Sequence, residues 1–468
     1  MKIVNLYNKG ELRASQYDTY PKILNPELYF LETNDSVLAY SPYFNSATKL
    51  TAEQYSFLTS NEKLYSSADA ANHPNLLNQF FYIDENVYKM LIQANHTEEP
   101  KIKVDKIKSL TLIMTSLCNL RCRYCYVFGG EPDKIVRTKK TFGMKNVLDA
   151  DTALGAIEYF NPSSIKFFGW GEPTLAFDEI KNIVERCSGE NFSYTIDTNA
   201  VYYQRREQIV KYLVENKVKI QISYDGLPAL NDDYRIDYRK NTSTREIMET
   251  INEIKKYGDL DEMAHVRVTA CGGIEEKMIE VLDHLKNLGF KRVRVEPVLI
   301  TGRAKEFAFA KPDMYKLAIN IAKAAIHAKK IGIAFSSNLL PAAGTIGMAC
   351  KTCNYILGTA ISLGPDYKFY MCVDPLQELC VGEIKKQNAQ SYSINLNLDK
   401  MAYITSKRNV FKLKDCETCP VKCGGGCTKE SYNEYHNLDN SGENKEMCDS
   451  KRLALAKYVE YSTNDSLM

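Results

Sequence analysis

The stretch CNLRCRYCY at residues 118–126 places three cysteines within eight positions, at Cys118, Cys122 and Cys125. It directly follows an apolar, β-rich run, SLTLIMTSL (109–117). In folds that alternate strands and helices, ligands bind at the carboxyl ends of the strands. The spacing therefore predicts that three thiols meet on one short loop at the end of a strand, where chemistry is expected.

From about residue 105 to 300 the sequence alternates between apolar, strand-like runs and amphipathic helical patterns. Three helical stripes run through 180–187, 247–254 and 278–285, and a glycine follows each where the helix should end. Continuous apolar strands of this kind form a parallel sheet covered by helices. The periodicity leaves an open barrel and a doubly wound sheet as alternatives. The other strand-like runs are SIKFFGW (164–170), FSYTIDTNA (192–200), VKIQISYDG (218–226), AHVRVTACGG (264–273) and RVRVEPV (292–298).

Length, charge and hydropathy narrow the class of protein. The 468 residues predict two or three domains. A formal net charge of +2 gives no electrostatic reason to expect nucleic acid or a membrane surface as partner. The first residues, MKIVNLYNKG, lack an apolar run long enough for a signal peptide, and no later segment approaches a membrane span. We therefore expect a cytoplasmic protein that binds neither nucleic acid nor membrane.

The 14 cysteines are grouped rather than scattered. All but two lie in 118–125, 350–380 and 416–448, which indicates metal or cluster ligation in a reducing compartment rather than disulfides. Cys187 and Cys271 stand apart, on a predicted helix and a predicted strand, and are interpreted as small core residues.

Three thiolates on one loop can ligate three irons of a [4Fe–4S] cube and leave the fourth iron open. An open iron can bind a substrate or cofactor, as the open position of catalytic zinc does. The alternative is a zinc site that a distant His or Cys completes.

Cys-x3-Cys-x2-Cys after the first strand of such an array resembles the signature of the radical S-adenosylmethionine (SAM) enzymes. The resemblance covers about residues 108–300 and implies an α/β fold with a partial, TIM-like (β/α)6 barrel. It also implies a [4Fe–4S] cluster whose open iron is chelated by SAM, and cleavage of SAM to a 5′-deoxyadenosyl radical that takes a hydrogen from substrate. Tyr124 occupies the aromatic position that lies against the adenine in this family.

Further segments in register behind the loop resemble the SAM contacts of the family. GWGEPTL (169–175) resembles the Gly-Gly-Glu-Pro motif, whose backbone and glutamate, here Glu172, would receive the methionine ammonium. Trp170 replaces the first glycine, and we expect it to wall the substrate side. DTN (197–199) and SYDG (223–226) end strands where the family places ribose and carboxylate contacts.

The segment STREI (243–247) resembles the one whose arginine pairs with the methionine carboxylate. It selects Arg245 for that role, with Arg235 as the alternative. The full set of candidate SAM contacts is Tyr124, Gly171, Glu172, Pro173, Asn199, Ser223, Asp225 and Arg245.

The cysteines after residue 350 are similar to the SPASM domain, a C-terminal module of radical SAM peptide-modifying enzymes with two auxiliary [4Fe–4S] clusters. Two departures leave the partition open: three residues separate Cys419 from Cys423 where the family usually has five, and Tyr367 replaces a glycine. Cys380 is a spare thiol. One or two four-cysteine zinc sites are the alternative. The similarity assigns Cys350, Cys353, Cys372 and Cys427 to auxiliary cluster I, and Cys416, Cys419, Cys423 and Cys448 to auxiliary cluster II.

Four regions are predicted. An N-terminal α+β extension covers 1–100, the partial barrel 105–310, a connecting helix and strand 311–345, and a small Cys-rich domain 346–455. YFLETNDSVLAYS (29–41) predicts a hairpin turning at Asn34-Asp35, and NVYKMLIQA (86–94) predicts a helix. Such an extension either binds a leader peptide by β-augmentation or caps the barrel mouth, and the sequence does not separate the two.

Auxiliary clusters can accept the electron left on a substrate radical, which favours oxidative chemistry. We therefore predict a maturase that installs thioether or carbon–carbon cross-links in a ribosomally made precursor peptide. It would use three [4Fe–4S] clusters, SAM and a flavodoxin or ferredoxin-type reductant. Asp374 and Glu296 are candidate catalytic bases.

Two alternatives remain. The first is an anaerobic sulfatase-maturing enzyme, but that family places a catalytic Asp directly after the cysteine aligned with Cys372, where this chain has Val373. The second is a zinc-stabilised binding protein without redox function.

Overall fold

The structure is a computed structural model, and it describes residues 2–4, 22–25, 28–32, 36–42, 46–60, 81–84, 86, 102–130, 146–239, 242–306, 311–340, 353–388, 391–407, 413–417, 419–421, 423–438 and 445–463. The strands are β1 (Lys2–Val4), β2 (Lys22–Leu24), β3 (Tyr29–Glu32), β4 (Val37–Ser41), β5 (Ser46–Leu50), β6 (Tyr82–Asp84), β7 (Ser109–Ile113), β8 (Ser164–Phe168), β9 (Ser193–Thr198), β10 (Lys219–Ser223), β11 (Ala264–Ala270), β12 (Arg292–Pro297), β13 (Ala334–Ser337), β14 (Ala360–Leu363), β15 (Lys368–Tyr370), β16 (Cys380–Lys386) and β17 (Tyr392–Leu396). The helices are α1 (Ala52–Thr59), α2 (Ala150–Phe160), α3 (Phe177–Arg186), α4 (Arg206–Glu215), α5 (Pro228–Tyr234), α6 (Ser243–Tyr257), α7 (Leu260–Met263), α8 (Met278–Asn287), α9 (Met314–Ile331), α10 (Leu398–Ser406), α11 (Lys414–Glu417), α12 (Thr428–Tyr435) and α13 (Lys445–Thr463).

The central sheet runs in the order β13-β12-β11-β10-β9-β8-β7-β14-β15-β16-β17. Strands β7 to β13 are parallel, and each pairs with the next strand in the chain. A doubly wound sheet would reverse its strand order at a switch point, and no reversal occurs among β7–β13. Because right-handed crossovers then step in one direction only, the helices cover one face. The observed strand order therefore favours the open barrel over the doubly wound sheet.

The sheet crosses two of the predicted region boundaries. β13, from the predicted connecting segment, pairs with β12 as a seventh parallel strand. β14, from the Cys-rich region, pairs in parallel with β7, with Ala360 opposite Ser109. The antiparallel strands β15 to β17 follow. The Cys-rich region is therefore attached at the edge strand that leads into the three-cysteine loop.

The two faces of the barrel sheet differ in polarity. Side chains that point to the helices are apolar and buried, as Ile165, Ile220 and Val266 illustrate. Side chains on the inner face are polar: Lys166 Nζ lies 2.7 Å from Asp197 Oδ2, and other polar groups follow on the neighbouring strands. The inner face therefore offers a polar lining rather than a second apolar core.

The N-terminal residues form a four-stranded antiparallel sheet in the order β1-β3-β4-β5. The strand pairing of the predicted hairpin is confirmed, since Leu31 on β3 pairs with Leu38 on β4; its predicted turn at Asn34-Asp35 lies outside the described residues. Of the predicted helix, only Asn86 lies among the described residues. One face of this sheet packs on α1, and the other packs on Val421 and on Leu455 of α13. None of the helices that the structure describes is long and apolar enough to span a membrane.

Candidate active site

The three-cysteine loop follows the carboxyl end of β7, as the sequence predicted. Arg303 holds its backbone: Nη1 donates to the Cys122 carbonyl at 2.8 Å, and the Arg303 amide donates to the Cys125 carbonyl at 2.8 Å. Arg303 is buried. Sequence reasoning missed it because no motif marks the turn after β12.

Two thiols of the loop accept hydrogen bonds from backbone amides. The Gly129 amide donates to Cys125 Sγ at 3.1 Å, and the Leu120 amide to Cys118 Sγ at 3.5 Å. Burial raises the pKa of Cys122 to about 11, so an uncompensated thiolate is disfavoured there. Hydrogen bonds to sulfur and nearby charge tune bound iron–sulfur clusters. In the described part of the chain, no three His, Cys, Asp or Glu side chains are arranged to hold a single metal ion. The donor set of the loop fits a cluster of the [4Fe–4S] type.

The structure brings two predicted SAM contacts, Tyr124 and Asp225, together beside the loop. The Tyr124 hydroxyl donates to Asp225 Oδ2 at 2.7 Å. Arg235 donates to both oxygens of the same carboxylate, at 3.1 Å each, and the Thr269 amide donates at 3.0 Å. The Arg235 and Asp225 side chains are 7% and 2% exposed. A buried bidentate ion pair with Arg235 therefore fixes Asp225. Asp225 in turn orients Tyr124 by accepting the hydrogen bond from its hydroxyl.

Arg245 is placed differently from the sequence interpretation. Its side chain is 80% exposed on α6 and pairs with Glu249, Nε to Oε1 at 3.1 Å. Arg235, the alternative, lies beside Cys122 and its charge lowers the pKa of that thiol against the effect of burial. The segment similarity identified a helix start, but its i,i+4 partner holds the Arg245 side chain on the solvent face.

The GWGEP turn fits tightly against the start of the loop. A Cβ on Gly171 would lie 1.8 Å from the Leu117 carbonyl oxygen, so only glycine fits. The Glu172 carboxylate is 2% exposed and accepts from Thr198 Oγ1 and from the Asn199 amide, both at 2.7 Å. Burial raises the pKa of Glu172. In this structure Glu172 ties the turn after β8 to the end of β9.

The remaining predicted contacts lie on the same rim. Pro173 is buried and opens a short 3-10 turn, Pro173–Ala176. Asn199 Nδ2 donates to Asn119 Oδ1 at 2.8 Å, which links the end of β9 to the cysteine loop. Ser223 ends β10, half-buried, in register with Arg267 on β11. The predicted contacts other than Arg245 thus gather around the loop.

Trp170 joins the barrel to the Cys-rich region. It is 1% exposed, its Nε1 donates to the Val373 carbonyl at 2.9 Å, and its ring meets Tyr370 edge-on at 6.1 Å. A Cβ on Gly364 would lie 2.9 Å from the indole ring. Trp170 therefore packs between the barrel and the residue next to Cys372, and its role on the substrate side stays a prediction.

The candidate base Asp374 lies in a buried ion pair with Lys429 of α12. The Lys429 ammonium also stands 3.9 Å from the centre of the Tyr126 ring, directly after the cysteine loop. Burial raises the pKa of Tyr126, with Asp374 adding to the rise and Arg267 opposing it. Sequence reasoning missed Lys429, Tyr126 and Arg267. Arg267 of the barrel lies near Tyr126, and Lys429 reaches Tyr126 only because the Cys-rich region docks on the barrel.

The other candidate base, Glu296, is 6% exposed on the inner face of β12. Arg294 Nε donates to its Oε1 at 2.5 Å. Both candidate bases are therefore already paired with a cation.

Residues 112–286 match the profile of the Radical SAM superfamily. They form a radical SAM domain. Enzymes of this superfamily use a [4Fe–4S] cluster and SAM, and the three-cysteine loop lies within the matched range. The chain thus contains a radical SAM domain and is an enzyme, with an α/β fold and added N- and C-terminal elements.

The relatives of the radical SAM domain include maturases. A cysteine-type anaerobic sulfatase-maturating enzyme of Clostridium novyi (strain NT) is 25% identical, over 76% of this chain and 97% of its own length. Native anSMEcpe with bound AdoMet and Cp18Cys peptide has a TM-score of 0.56 at 19% identity, covering 75% of this chain and 96% of that one. Streptococcus suis SuiB bound to precursor peptide SuiA has a TM-score of 0.50 at 15% identity, covering 91% and 99%. At these identities the two structures show a shared fold.

Beyond the radical SAM domain, four cysteines assigned to auxiliary cluster II line one cavity. Lys451 and Arg452 of α13 line it with them. Gly425 and Gly426 complete the lining with φ of 81° and 77°, a backbone conformation that favours glycine. The donor set and the close backbone approach fit a bulky cluster. The four cysteines are Cys416, Cys419, Cys423 and Cys448.

The cysteines assigned to auxiliary cluster I are partly described. Cys350 lies outside the described residues. Cys372 is near Cys353, and burial raises the pKa of Cys372 to about 12. Cys427 is the N-cap of α12. The spare Cys380 starts β16 and packs beside the Trp170 cluster instead of lining the four-cysteine cavity.

Proposed function

We propose that this chain is a radical SAM maturase that oxidatively modifies a ribosomally made peptide by installing a thioether or carbon–carbon cross-link. It would carry three [4Fe–4S] clusters and bind one SAM. A flavodoxin or ferredoxin-type protein of the cytoplasm would supply the reducing electron.

One observation carries the proposal: the Cys-rich region docks directly against the radical-generating loop. Lys429 of α12 stands over Tyr126, and Trp170 of the barrel bonds to Val373. A second redox site beside the first can collect the electron that an oxidised substrate leaves behind. A reductive SAM cleavage alone would not need it.

The chain's own residues would perform four tasks. Cys118, Cys122 and Cys125 would hold the cluster whose open iron binds SAM, the group that supplies hydrogen-abstracting chemistry. Tyr124, oriented by Asp225, would lie against the adenine. The other contacts, Gly171, Glu172, Pro173, Asn199 and Ser223, would line the SAM site, and Arg235 takes the place of Arg245.

Two charged pairs are candidates for moving the substrate proton. Asp374 is paired with Lys429, and Glu296 is paired with Arg294. We assign the role of base to Asp374, because its partner Lys429 stands over Tyr126, directly after the cysteine loop.

The N-terminal sheet would bind the leader part of the peptide. Its last strand, β5, pairs with β4 alone among the described strands, which leaves an edge for β-augmentation. The fold of SuiB spans 91% of this chain, whereas that of anSMEcpe spans 75%. SuiB was solved bound to its precursor peptide SuiA. The wider coverage supports a peptide maturase with a recognition module.

Sulfatase maturation is the second candidate, favoured by the Clostridium novyi relative, which this chain matches over 97% of its length. The enzyme would then convert a cysteine or serine of a sulfatase to formylglycine. Asp374 lies one residue away from the position that this chemistry uses in that family. Formylglycine in a sulfatase-derived peptide would establish this candidate.

The test is to search the neighbouring genes for a small Cys-rich or repeat-bearing peptide, to co-express it with this chain and to measure its mass. We expect the loss of two hydrogen atoms per modified site, with none in the Cys122→Ala variant. Anaerobically purified protein should hold about twelve irons per chain, whereas a zinc-stabilised binding protein would hold none. An unmodified peptide together with formylglycine in the sulfatase peptide would overturn the proposal.

A further inference from the structure

The inner face of β11 carries an arginine, Arg267, in the middle of the strand. Its neighbours in the chain, Val266 and Val268, are buried against the helices, whereas Arg267 is half-buried on the opposite face. It stands in register with Ser223 on β10 and with Arg294 on β12. The Arg294 side chain is 56% exposed, so this part of the inner face is open to solvent. Arg267 therefore lies beside a predicted SAM contact, in a space that a substrate can enter.

The carboxylates of the inner face pair with other cations. Asp197 Oδ2 lies 2.7 Å from Lys166 Nζ, and Glu296 Oε1 lies 2.5 Å from Arg294 Nε. Within the described ranges, the Arg267 guanidinium has neither an ion pair nor a side-chain hydrogen bond. The described part of the sheet therefore leaves the donors of this guanidinium for a ligand.

Arg267 also faces the residue that follows the cysteine loop, Tyr126. Burial raises the pKa of Tyr126, and the charge of Arg267 opposes that rise. The Lys429 ammonium stands 3.9 Å from the centre of the same ring, and it pairs with Asp374 of the Cys-rich region. Arg267 and Lys429 thus approach Tyr126 from the barrel and from the Cys-rich region. The guanidinium lies where these two regions meet beside the cysteine loop.

The chemistry of an arginine in this place selects the group that it binds. A peptide that fills the space would exclude water from the guanidinium. Removing a charge from water costs free energy unless an opposite charge pairs with it. The planar fork of arginine matches a carboxylate, which accepts two parallel hydrogen bonds from it. A peptide supplies a carboxylate through an Asp or Glu side chain or through a free C-terminus.

We propose that Arg267 determines specificity by binding a carboxylate of the substrate peptide beside the residue that is modified. This inference rests on the proposed function, because it requires a peptide substrate. The bidentate pair would hold the peptide between the cysteine loop and the Cys-rich region. A peptide with only neutral or basic side chains there would leave the guanidinium desolvated without a counter-charge and would bind more weakly. SAM also carries a carboxylate, so the test must separate the two sources.

The test measures which peptides the anaerobically purified holoenzyme retains in the presence of SAM. The probes are two random dodecapeptide libraries with acetylated N-termini, one with an amidated C-terminus and one with a free C-terminal carboxylate. Bound peptides are separated by gel filtration and sequenced by mass spectrometry. We expect the wild type to enrich peptides with Asp or Glu from the amidated library, or to retain only the library with free C-termini. Arg267→Met should reduce either preference about tenfold.

Two further variants exclude a merely structural effect. Arg267→Glu should reverse the preference towards peptides with Lys or Arg, which a loss of packing would not do. Arg292→Met is the matched control, because its guanidinium donates to the carbonyls of Asp261 and Glu262, and it should keep the wild-type preference. The affinity for SAM, measured on the same preparations, should be unchanged in Arg267→Met.

A wild type without preference for a carboxylate, or the same preference in Arg267→Met, would overturn the inference. Weaker SAM binding by Arg267→Met would overturn it too, since the carboxylate would then be that of SAM. If Arg267→Met loses its iron, Arg267→Gln at full iron content decides in the same way. Failure of the proposed function has a different signature: a carboxylate preference that depends on Arg267, together with a precursor peptide that loses no hydrogen atoms.

Discussion

Replacing Arg235 by Met should destabilise the protein and loosen the proposed site of the adenine. The change removes the guanidinium that bonds both oxygens of Asp225 and keeps an unbranched apolar stem. Asp225 is 2% exposed, so its charge would remain buried with only Tyr124 and the Thr269 amide as donors. Breaking a buried pair in this way costs about 3–5 kcal/mol.

Coulomb's law gives a similar magnitude for this pair. Two unit charges about 4 Å apart interact by about 4 kcal/mol at an effective dielectric constant of about 20. Arg245 supplies the matched control, since its pair with Glu249 is formed by a side chain that is 80% exposed. Solvent screens such a pair, and Arg245→Met should cost about 0.2–1 kcal/mol.

The assay is anaerobic urea unfolding at constant pH, with SAM binding measured on the same preparations. Arg235→Met should shift the midpoint to clearly lower urea and weaken SAM binding, and Arg245→Met should change neither. The double variant Arg235→Met/Asp225→Asn should regain stability, because no uncompensated charge is left. Equal midpoints for the two single variants, or a double variant no more stable than Arg235→Met, would refute the reasoning.

Three further predictions concern separate features. Trp170→Phe removes the donor to the Val373 carbonyl and should lower the free energy of unfolding by about 1–3 kcal/mol, seen as a lower midpoint of thermal unfolding. Tyr159→Phe, at an exposed ring, is its control, and equal midpoints would contradict the contact. Burial lowers the pKa of His265 below 6.5, so the unfolded chain takes up this proton first and the associated stability is lost as the pH falls below 6.5. His265→Gln should therefore lose less stability than wild type between about pH 7.5 and about pH 5.5, and an identical pH dependence in urea unfolding would exclude this role. Cys448→Ala should lower the iron content by about four per chain while Cys380→Ala keeps it, and the reverse would show that the spare thiol is a ligand.

The barrel and the cysteine loop could be predicted because their signals are local. Each strand and its helix carry a periodic apolar pattern, as the stripe through Ile180, Ile183 and Val184 shows. The motif Cys-x3-Cys-x2-Cys places three thiols on one loop by spacing alone. Gly171 follows the same rule, since its close approach to Leu117 requires glycine.

The features that were missed depend on contacts between distant segments. The pairing of Ala360 with Ser109 extends the barrel sheet into the Cys-rich region, and no periodicity signals it. Arg303, which follows β12 in the chain, donates a hydrogen bond to the backbone of the cysteine loop. The choice between Arg235 and Arg245 depended on how deeply each side chain is buried. A similarity between short segments carries no information on burial.

The central claim is that the Cys118–Cys125 loop holds a cluster with an open iron that cleaves SAM. The most direct measurement is 5′-deoxyadenosine formation by anaerobically reconstituted protein supplied with SAM and dithionite. We predict product from the wild type and none from Cys122→Ala. No product from wild type at full iron content, or equal product from both proteins, would contradict the account.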